Sequence, residues 1–127
     1  MQIDQTTINK FLIIGTGPCG IGAIRCFSKY HIPFDCVELH SDIGGQWDIK
    51  NPKSTMYQSA HLISSTKVME LDEFPMDGMT ADYPHHTKMK HYFDDYAKKF
   101  NLRENIQFNT KVIDSERLAD NKWEVTL

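Results

Sequence analysis

Three glycines stand in one turn of the sequence, in "KFLIIGTGPCGIGAIRCF", between a short apolar run and a pattern of helical period. The apolar run from Phe11 to Ile14 is typical of a buried parallel strand. From Pro18 the apolar residues recur at helical spacing as far as about Tyr30. Pro33 then disfavours helix, and the alternation from Phe34 to Leu39 predicts a second strand. The order strand, turn, helix, strand predicts a βαβ unit.

The glycine turn has the spacing G-x-G-x-x-G, and each glycine has its own task. Gly15 permits the tight turn, Gly17 lets the backbone approach a pyrophosphate, and Gly20 lets the helix pack closely on the strand. The amino terminus of the helix offers N–H groups and a positive dipole end to the phosphates. Glu38, near the end of the second strand, is expected to accept hydrogen bonds from a ribose. The turn therefore predicts an adenine dinucleotide site, with a simple connecting turn as the alternative.

The remainder of the chain is less regular. Residues 48–84 are expected to be mostly loop with one or two short helical or extended pieces. Thr87 is a plausible N-cap for a helix that carries an apolar face and stops at Asn101. Three strands are expected after it: Ile106–Phe108, Lys111–Glu116 and Lys122–Leu127, the last two forming a hairpin.

Composition and charge exclude several classes of protein. With 127 residues the chain fits one domain, and its net charge of -3 argues against nucleic acid as a partner. No apolar run approaches the ~20 residues that a membrane helix needs. The polar start "MQIDQTTINK" lacks the apolar core of a secretory signal, so a cytoplasmic location is expected.

The cysteines and histidines give no metal site. The three cysteines are odd in number and form no C-x-x-C pair, so buried free thiols are expected at Cys19, Cys26 and Cys36. Three histidines could be imagined as ligands, but no carboxylate spacing completes a site. We therefore expect surface histidines at His85, His86 and His91.

Beyond the glycine turn, "IGGQW" matches the G-G-x-W of flavin-containing monooxygenases. The segments "STMYQSAHLISSTKVMELDEFPM" and "DYPHHTKMKHYFDDYAKKFNL" also resemble that family, so the resemblance covers almost the whole chain from Lys10 onward. It implies an α/β, Rossmann-like FAD-binding domain with a central parallel sheet. It also implies FAD as the cofactor, with NADPH bound at a second dinucleotide fold that this chain does not contain.

The resemblance also implies which residues contact FAD. It names no general acid or base, so we expect no catalytic residue and no metal ligand in this chain. Ser64 falls where the family has an asparagine, and a serine is shorter and has no amide. The residues implied are Gly15, Thr16, Gly17, Pro18, Cys19 and Gly20 around the pyrophosphate, Glu38 on the ribose, Gln46 and Trp47 along the cofactor, Ser64 in the asparagine position, and Val112 at the adenine through its backbone.

The reaction implied by the resemblance is oxygen transfer to a small molecule. NADPH reduces FAD, O2 adds to give a flavin C4a-hydroperoxide, and one oxygen atom passes to a nitrogen or sulfur nucleophile or to a ketone. Because the second G-x-G-x-x-G of the family is absent, residues 1–127 are expected to be an incomplete FAD-binding fold. We expect it to be truncated at the start of its β-meander, inactive alone and a homo-oligomer. The alternatives are another NAD(P)H-dependent flavoprotein reductase with two dinucleotide folds, or a non-catalytic nucleotide-binding or interaction module.

Overall fold

The structure is a computed structural model that describes residues 10–78 and 80–127. Strands β1 (Phe11–Ile14) and β2 (Phe34–Val37) pair in parallel, with Phe11 opposite Phe34 and Ile14 opposite Val37. Helix α1 (Pro18–Lys29) connects the two strands. The predicted βαβ unit is therefore confirmed, with bounds within one or two residues of those expected from the sequence.

Helix α1 forms where the sequence changes from strand to helical period. Pro18 stands in its first turn, where a fixed φ and a missing N–H cost nothing. Ile21 and Ile24, three residues apart, are both fully buried, and each contributes about 1.5 to 3 kcal/mol by leaving water. The helix ends before His31, which adopts a left-handed conformation with φ of 54°.

The expected third strand is much shorter than predicted. Within Ile106–Phe108 only Gln107 pairs with the sheet, as a single parallel bridge to Val37. Its N–H donates to Cys36 O and its carbonyl accepts from Glu38 N, each at 2.9 Å. A 3₁₀ turn at Leu102–Asn105 precedes this bridge. The strand prediction is right in place and wrong in extent, and β2 lies between β1 and Gln107.

The middle of the chain is mostly loop, as predicted, with the short helix α2 (Thr66–Met69) and then the long helix α3 (His86–Lys99). The N-cap of α3 is His85 and not Thr87, because the His85 ring accepts a hydrogen bond from Thr87 N. The apolar face of α3 shares one core cluster with residues of α1, β2 and the 3₁₀ turn. The core comprises Ile21, Ile24, Cys36, Ile43, Leu62, Met89, Tyr92, Phe93, Tyr96, Ala97, Leu102 and Ile106.

The predicted hairpin is confirmed in a shorter form. Strands β3 (Asp114–Arg117) and β4 (Trp123–Thr126) pair antiparallel, with Arg117 opposite Trp123. Every residue of β3 is exposed, so the hairpin adds little to the core. In the part of the chain that the structure describes, each helix is too short or too polar to cross a bilayer.

Two sets of side chains differ from the sequence expectations. Cys36 is buried, and that burial raises its pKa to about 12, whereas Cys19 and Cys26 are exposed. Cys36 lies on β2 in the core, but the other two lie on the outer side of α1. His86 is only 1% exposed, so the expectation of a surface histidine is wrong there, because the ring turns inward at the start of α3.

Candidate functional site

The glycine turn lies between the end of β1 and the start of α1. Gly15 N–H donates to Val37 O at 2.8 Å, which ties the turn to β2. A Cβ at Gly20 would lie 2.0 Å from Gly15 O, so only glycine allows this contact between helix and turn. The close packing predicted for Gly20 is therefore present.

The start of α1 has the features of an anion site. Gly17 is the N-cap, and it has no side chain that could accept from the first N–H groups. Ile21 N donates the first intrahelical hydrogen bond, to Gly17 O. The N–H groups of Cys19 and Gly20 come before it in the chain, so they have no acceptor within the helix. No acidic residue stands in the first turn of α1. This arrangement fits a pyrophosphate, because it joins free donors to the positive end of the helix dipole.

Glu38 directly follows β2, and the residue is only 7% exposed. Oε2 accepts from Thr16 N at 2.6 Å and from Thr16 Oγ1 at 2.8 Å, and Oε1 accepts from His40 N at 2.7 Å. A carboxylate has about four acceptor positions, so one remains for a ribose hydroxyl. Thr16 is fully buried, and both its backbone N–H and its hydroxyl donate to Glu38, so it ties the glycine turn to that carboxylate.

The IGGQW loop, residues 43–47, lies directly on the glycine turn. Gly44 N–H donates to Thr16 O at 2.9 Å. Gly45 has a φ of 56°, and a Cβ there would lie 2.9 Å from the Cα of Gly17. Two glycine backbones thus meet where a side chain on Gly45 would force them apart. The loop continues as a 3₁₀ turn, Gly45–Trp47.

Gln46 and Trp47 point in different directions from this loop. The Gln46 carboxamide oxygen accepts from Thr55 N at 2.8 Å and from Thr55 Oγ1 at 2.9 Å, so Gln46 anchors the next loop. Trp47 is half-buried and packs against the core. Beside it lies a cleft of about 270 Å³, which is also lined by Asp48, His86 and Lys90.

Comparison with known proteins identifies the family. The family model described as flavin-binding monooxygenase-like matches residues 8–127. The chain belongs to the flavin-binding monooxygenase-like family. It is 32% identical over 124 residues to dimethylaniline monooxygenase 2 (N-oxide-forming) of Oryctolagus cuniculus, and 30% identical to flavin-containing monooxygenase 2 of Homo sapiens. These alignments cover 91% of the chain but only 23% of each relative, so the chain spans about a quarter of their length.

Solved structures confirm the Rossmann-like α/β fold class. S-allyl-L-cysteine S-oxygenase from Allium sativum superposes with a TM-score of 0.80 at 19% identity, over 91% of this chain and 31% of that one. A steroid monooxygenase bound to NADP superposes with a TM-score of 0.79 at 21% identity, over 91% and 22% of the two chains. The predictions of a flavoprotein fold and of FAD as cofactor agree with the family, which is a flavin-binding one.

Two of the residues that the resemblance implies lie near FAD, Ser64 and Val112, are outside the glycine turn. Ser64 is half-buried in the bend before α2, and the neighbouring Ser65 is the residue that caps that helix. The described contacts do not connect Ser64 with the glycine turn. Val112 is half-buried two residues after Thr110, whose N–H donates to Glu38 O at 2.8 Å. Val112 therefore follows a segment fastened to the end of β2, whereas Ser64 belongs to a separate loop.

One group of charged residues near the IGGQW loop is not apparent from the sequence. Asp42 contacts both Lys90 and Arg103, and both cations also contact Asp94. Burial by itself would raise the pKa of Asp42, but hydrogen bonds from Arg103, Lys90 and Ile43 N hold it below its ordinary value. Lys90 and Arg103 lie far from Asp42 in the sequence, so no local pattern indicates that they contact it. Only the spacing of four between Lys90 and Asp94 on α3 is a local signal of an ion pair.

Proposed function

We propose that this chain is the FAD-binding part of a flavin-dependent monooxygenase. The observation that carries the proposal is the contact between the glycine turn and the IGGQW loop, through the Gly44 N–H to Thr16 O hydrogen bond. The donors at the start of α1 would hold the pyrophosphate, and Glu38 would hold the adenosine ribose. Trp47 would lie along the cofactor beside its cleft, and Val112 would meet the adenine.

The flavin supplies the redox chemistry, and the protein binds, orients and shelters it. We propose that the whole protein uses NADPH and O2 to place one oxygen atom on a nitrogen or sulfur nucleophile, or on a ketone, of a small molecule. The names of relatives and neighbours support this range, since they include an N-oxide-forming dimethylaniline monooxygenase and an S-oxygenase. A steroid monooxygenase that resembles the chain is bound to NADP, which supports a nicotinamide partner.

We propose further that the residues described here supply flavin binding while other parts of the protein supply the NADPH site, because relatives are about four times as long. A cytoplasmic location and a homo-oligomeric state are also proposed. The three cysteines, which form no C-x-x-C pair, support the location.

Calorimetric titration with FAD and with NADPH tests the cofactor assignment. We expect FAD to bind more tightly than NADPH, and Gly17→Val to reduce FAD affinity by at least tenfold. A Cβ on Gly17 would make only an ordinary contact of 3.9 Å with Gly45 Cα, so the fold tolerates it, but the branches of a valine would enter the space proposed for the pyrophosphate.

Gly22→Val is the matched control, because Gly22 lies in α1, the helix that Gly17 caps, and a Cβ there meets nothing within 4 Å. It should bind FAD as the parent does. Tighter binding of NADPH than of FAD, or equal FAD affinity of the two valine variants, would contradict the proposed function.

A further inference from the structure

Four charged side chains join the IGGQW loop to α3 and to the 3₁₀ turn after it. Lys90 Nζ lies 3.1 Å from Asp42 Oδ2 and 2.6 Å from Asp94 Oδ1. Arg103 contacts Asp42 as well, and lies 3.6 Å from Asp94 Oδ1. Asp42 directly precedes the loop, and Ile43 N–H donates to its Oδ1 at 2.8 Å. Two cations from distant parts of the chain thus hold the carboxylate at the start of the loop.

The hydrocarbon part of Lys90 also contacts the loop. A Cβ built on Gly44 would lie 2.9 Å from Lys90 Cδ and 3.1 Å from Cε, so the lysine stem lies against the open face of Gly44. The Lys90 side chain is only 14% exposed. Gly44 in turn donates to Thr16 O, and Gly45 abuts Gly17. An unbroken series of contacts therefore runs from Lys90 to the glycine turn.

From these contacts we propose that Lys90 is a positioning residue for flavin binding: with Asp42 and Arg103 it holds the IGGQW loop against the glycine turn. The inference rests on the proposed function, since the flavin is the group that the loop would contact. Lys90 need not touch the cofactor. Its ammonium fixes Asp42, which directly precedes the loop, and its hydrocarbon stem contacts Gly44 within the loop. One side chain therefore restrains the first residues of the loop from both sides.

The electrostatics favour a persistent contact. Burial by itself would lower the pKa of Lys90, but Asp94 and Asp42 together raise it above its ordinary value. The ammonium is therefore charged throughout the neutral range. Charge-assisted hydrogen bonds are among the stronger ones in proteins, and the low exposure of Lys90 reduces screening by salt.

The experiment uses Trp47 as the reporter of loop position. The chain has two tryptophans, so Trp123→Phe leaves Trp47 as the single emitter. In this background Lys90→Met keeps an apolar stem and removes the ammonium, and Lys88→Met on the exposed side of α3 is the matched control. Without flavin, we expect Lys90→Met to shift Trp47 emission to longer wavelength and to increase quenching by acrylamide.

With flavin, Lys90→Met should weaken FAD binding by about tenfold, which corresponds to about 1.4 kcal/mol. Lys90→Arg should recover most of the affinity, because it restores a cation that reaches Asp42, and Lys88→Met should match the background in both measurements. Arg103→Gln provides a second variant that removes the other cation and leaves the stem of Lys90 in place. It should change emission and affinity in the same direction, by a smaller factor.

A change in Trp47 emission together with weaker FAD binding supports the proposal. Unchanged FAD affinity overturns it, whatever the emission shows, and so does weaker binding with unchanged Trp47 emission. The failure of the proposed function looks different, because the background protein itself would then fail to bind FAD. The emission of the flavin-free protein would still report whether Lys90 holds the loop.

Discussion

At the scale of single residues, the pair Thr16 and Glu38 decides how the site is built. A carboxylate after β2 is expected from the dinucleotide-binding pattern, but its bonds to Thr16 are not part of that pattern. Both donors of Thr16 go to Glu38 Oε2, at 2.6 Å from the backbone nitrogen and 2.8 Å from the hydroxyl. The glycine turn and the Glu38 carboxylate are therefore one hydrogen-bonded unit, so a substitution in either should affect the position of the other.

Thr16→Val tests this unit. Valine is close to threonine in shape, so the change removes the hydroxyl bond and keeps the volume. We expect the free energy of unfolding to fall by about 1.5 to 3 kcal/mol, as for a lost hydrogen bond to a charged group. FAD binding should weaken as well. Chemical denaturation and calorimetric titration measure the two effects.

The control for that change is Thr80→Val. Thr80 Oγ1 also donates to a carboxylate, Asp77 Oδ1 at 2.6 Å, but it does so at the surface. Water can replace this bond, so we expect a loss below about 1 kcal/mol and no change in FAD affinity. Equal losses for the two variants would show that the buried position of Thr16 has no special importance.

At the scale of secondary-structure elements, helix α3 organises the loop that precedes it. Tyr92 is 8% exposed, and its hydroxyl accepts from Leu71 N at 2.7 Å and donates to Phe74 O at 2.6 Å. One side chain of α3 thus satisfies both ends of the bridge between Leu71 and Phe74. This loop has no regular structure of its own, so its conformation depends on α3.

We expect Tyr92→Phe to lower the free energy of unfolding by about 1 to 3 kcal/mol, because Leu71 N–H and Phe74 O lose their partner. Tyr96→Phe is the control. Tyr96 is 4% exposed on the same helix, and its hydroxyl makes no hydrogen bond among the described residues. Urea unfolding of both variants measures the difference. A loss for Tyr96→Phe as large as for Tyr92→Phe would mean that ring packing, and not the hydroxyl, is responsible.

The elements differ in how well the sequence predicted them, for physical reasons. The bounds of β1, α1 and β2 follow from the spacing of apolar residues and from Gly15 and Pro33, which interrupt regular structure; both are local signals. The strand at Gln107 contracts to one bridge because Asn109, two residues later, has a φ of 53° and turns the chain away from the sheet. The N-cap at His85 was missed because threonine is the commoner capping residue and Thr87 stood two positions later.

The candidate site shows the same division. The place of the glycine turn between β1 and α1, and of Glu38 at the end of β2, was predictable, because the G-x-G-x-x-G spacing is a local pattern. The contact of Lys90 with the IGGQW loop was not predictable, because it joins residues 48 positions apart, Asp42 and Lys90, and depends on how α3 packs. Long-range ion pairs have no sequence period, so only the fold reveals them.

At the scale of the whole molecule, acid pH should destabilise the fold in two steps. The first involves His86, which is 1% exposed at the start of α3. Burial, followed by the charges of His85 and His61, holds its pKa below its ordinary value of 6.5. The unfolded chain therefore binds a proton near pH 6.5 that the folded chain does not, and stability falls as the pH drops below about that value.

The second step involves Asp42, whose folded pKa lies below its ordinary value of 3.8. Burial opposes this shift, and the hydrogen bonds from Arg103 and Lys90 outweigh it. A carboxyl with a lowered pKa stabilises the fold above its unfolded pKa, and this contribution is lost as the pH falls through the folded value. Because it acts only in strong acid, the two steps are separable along the pH scale.

Urea unfolding at pH 7.5 and at pH 5.5 isolates the first step, since both values lie well above the carboxyl range. We expect the parent protein to have a lower unfolding midpoint at pH 5.5, and His86→Gln to lose most of that pH difference whatever its absolute stability. His91→Gln on the exposed side of α3 should retain the difference. A parent midpoint that is equal at the two pH values, or a pH difference that survives in His86→Gln, would rule out the buried imidazole as the source of acid sensitivity.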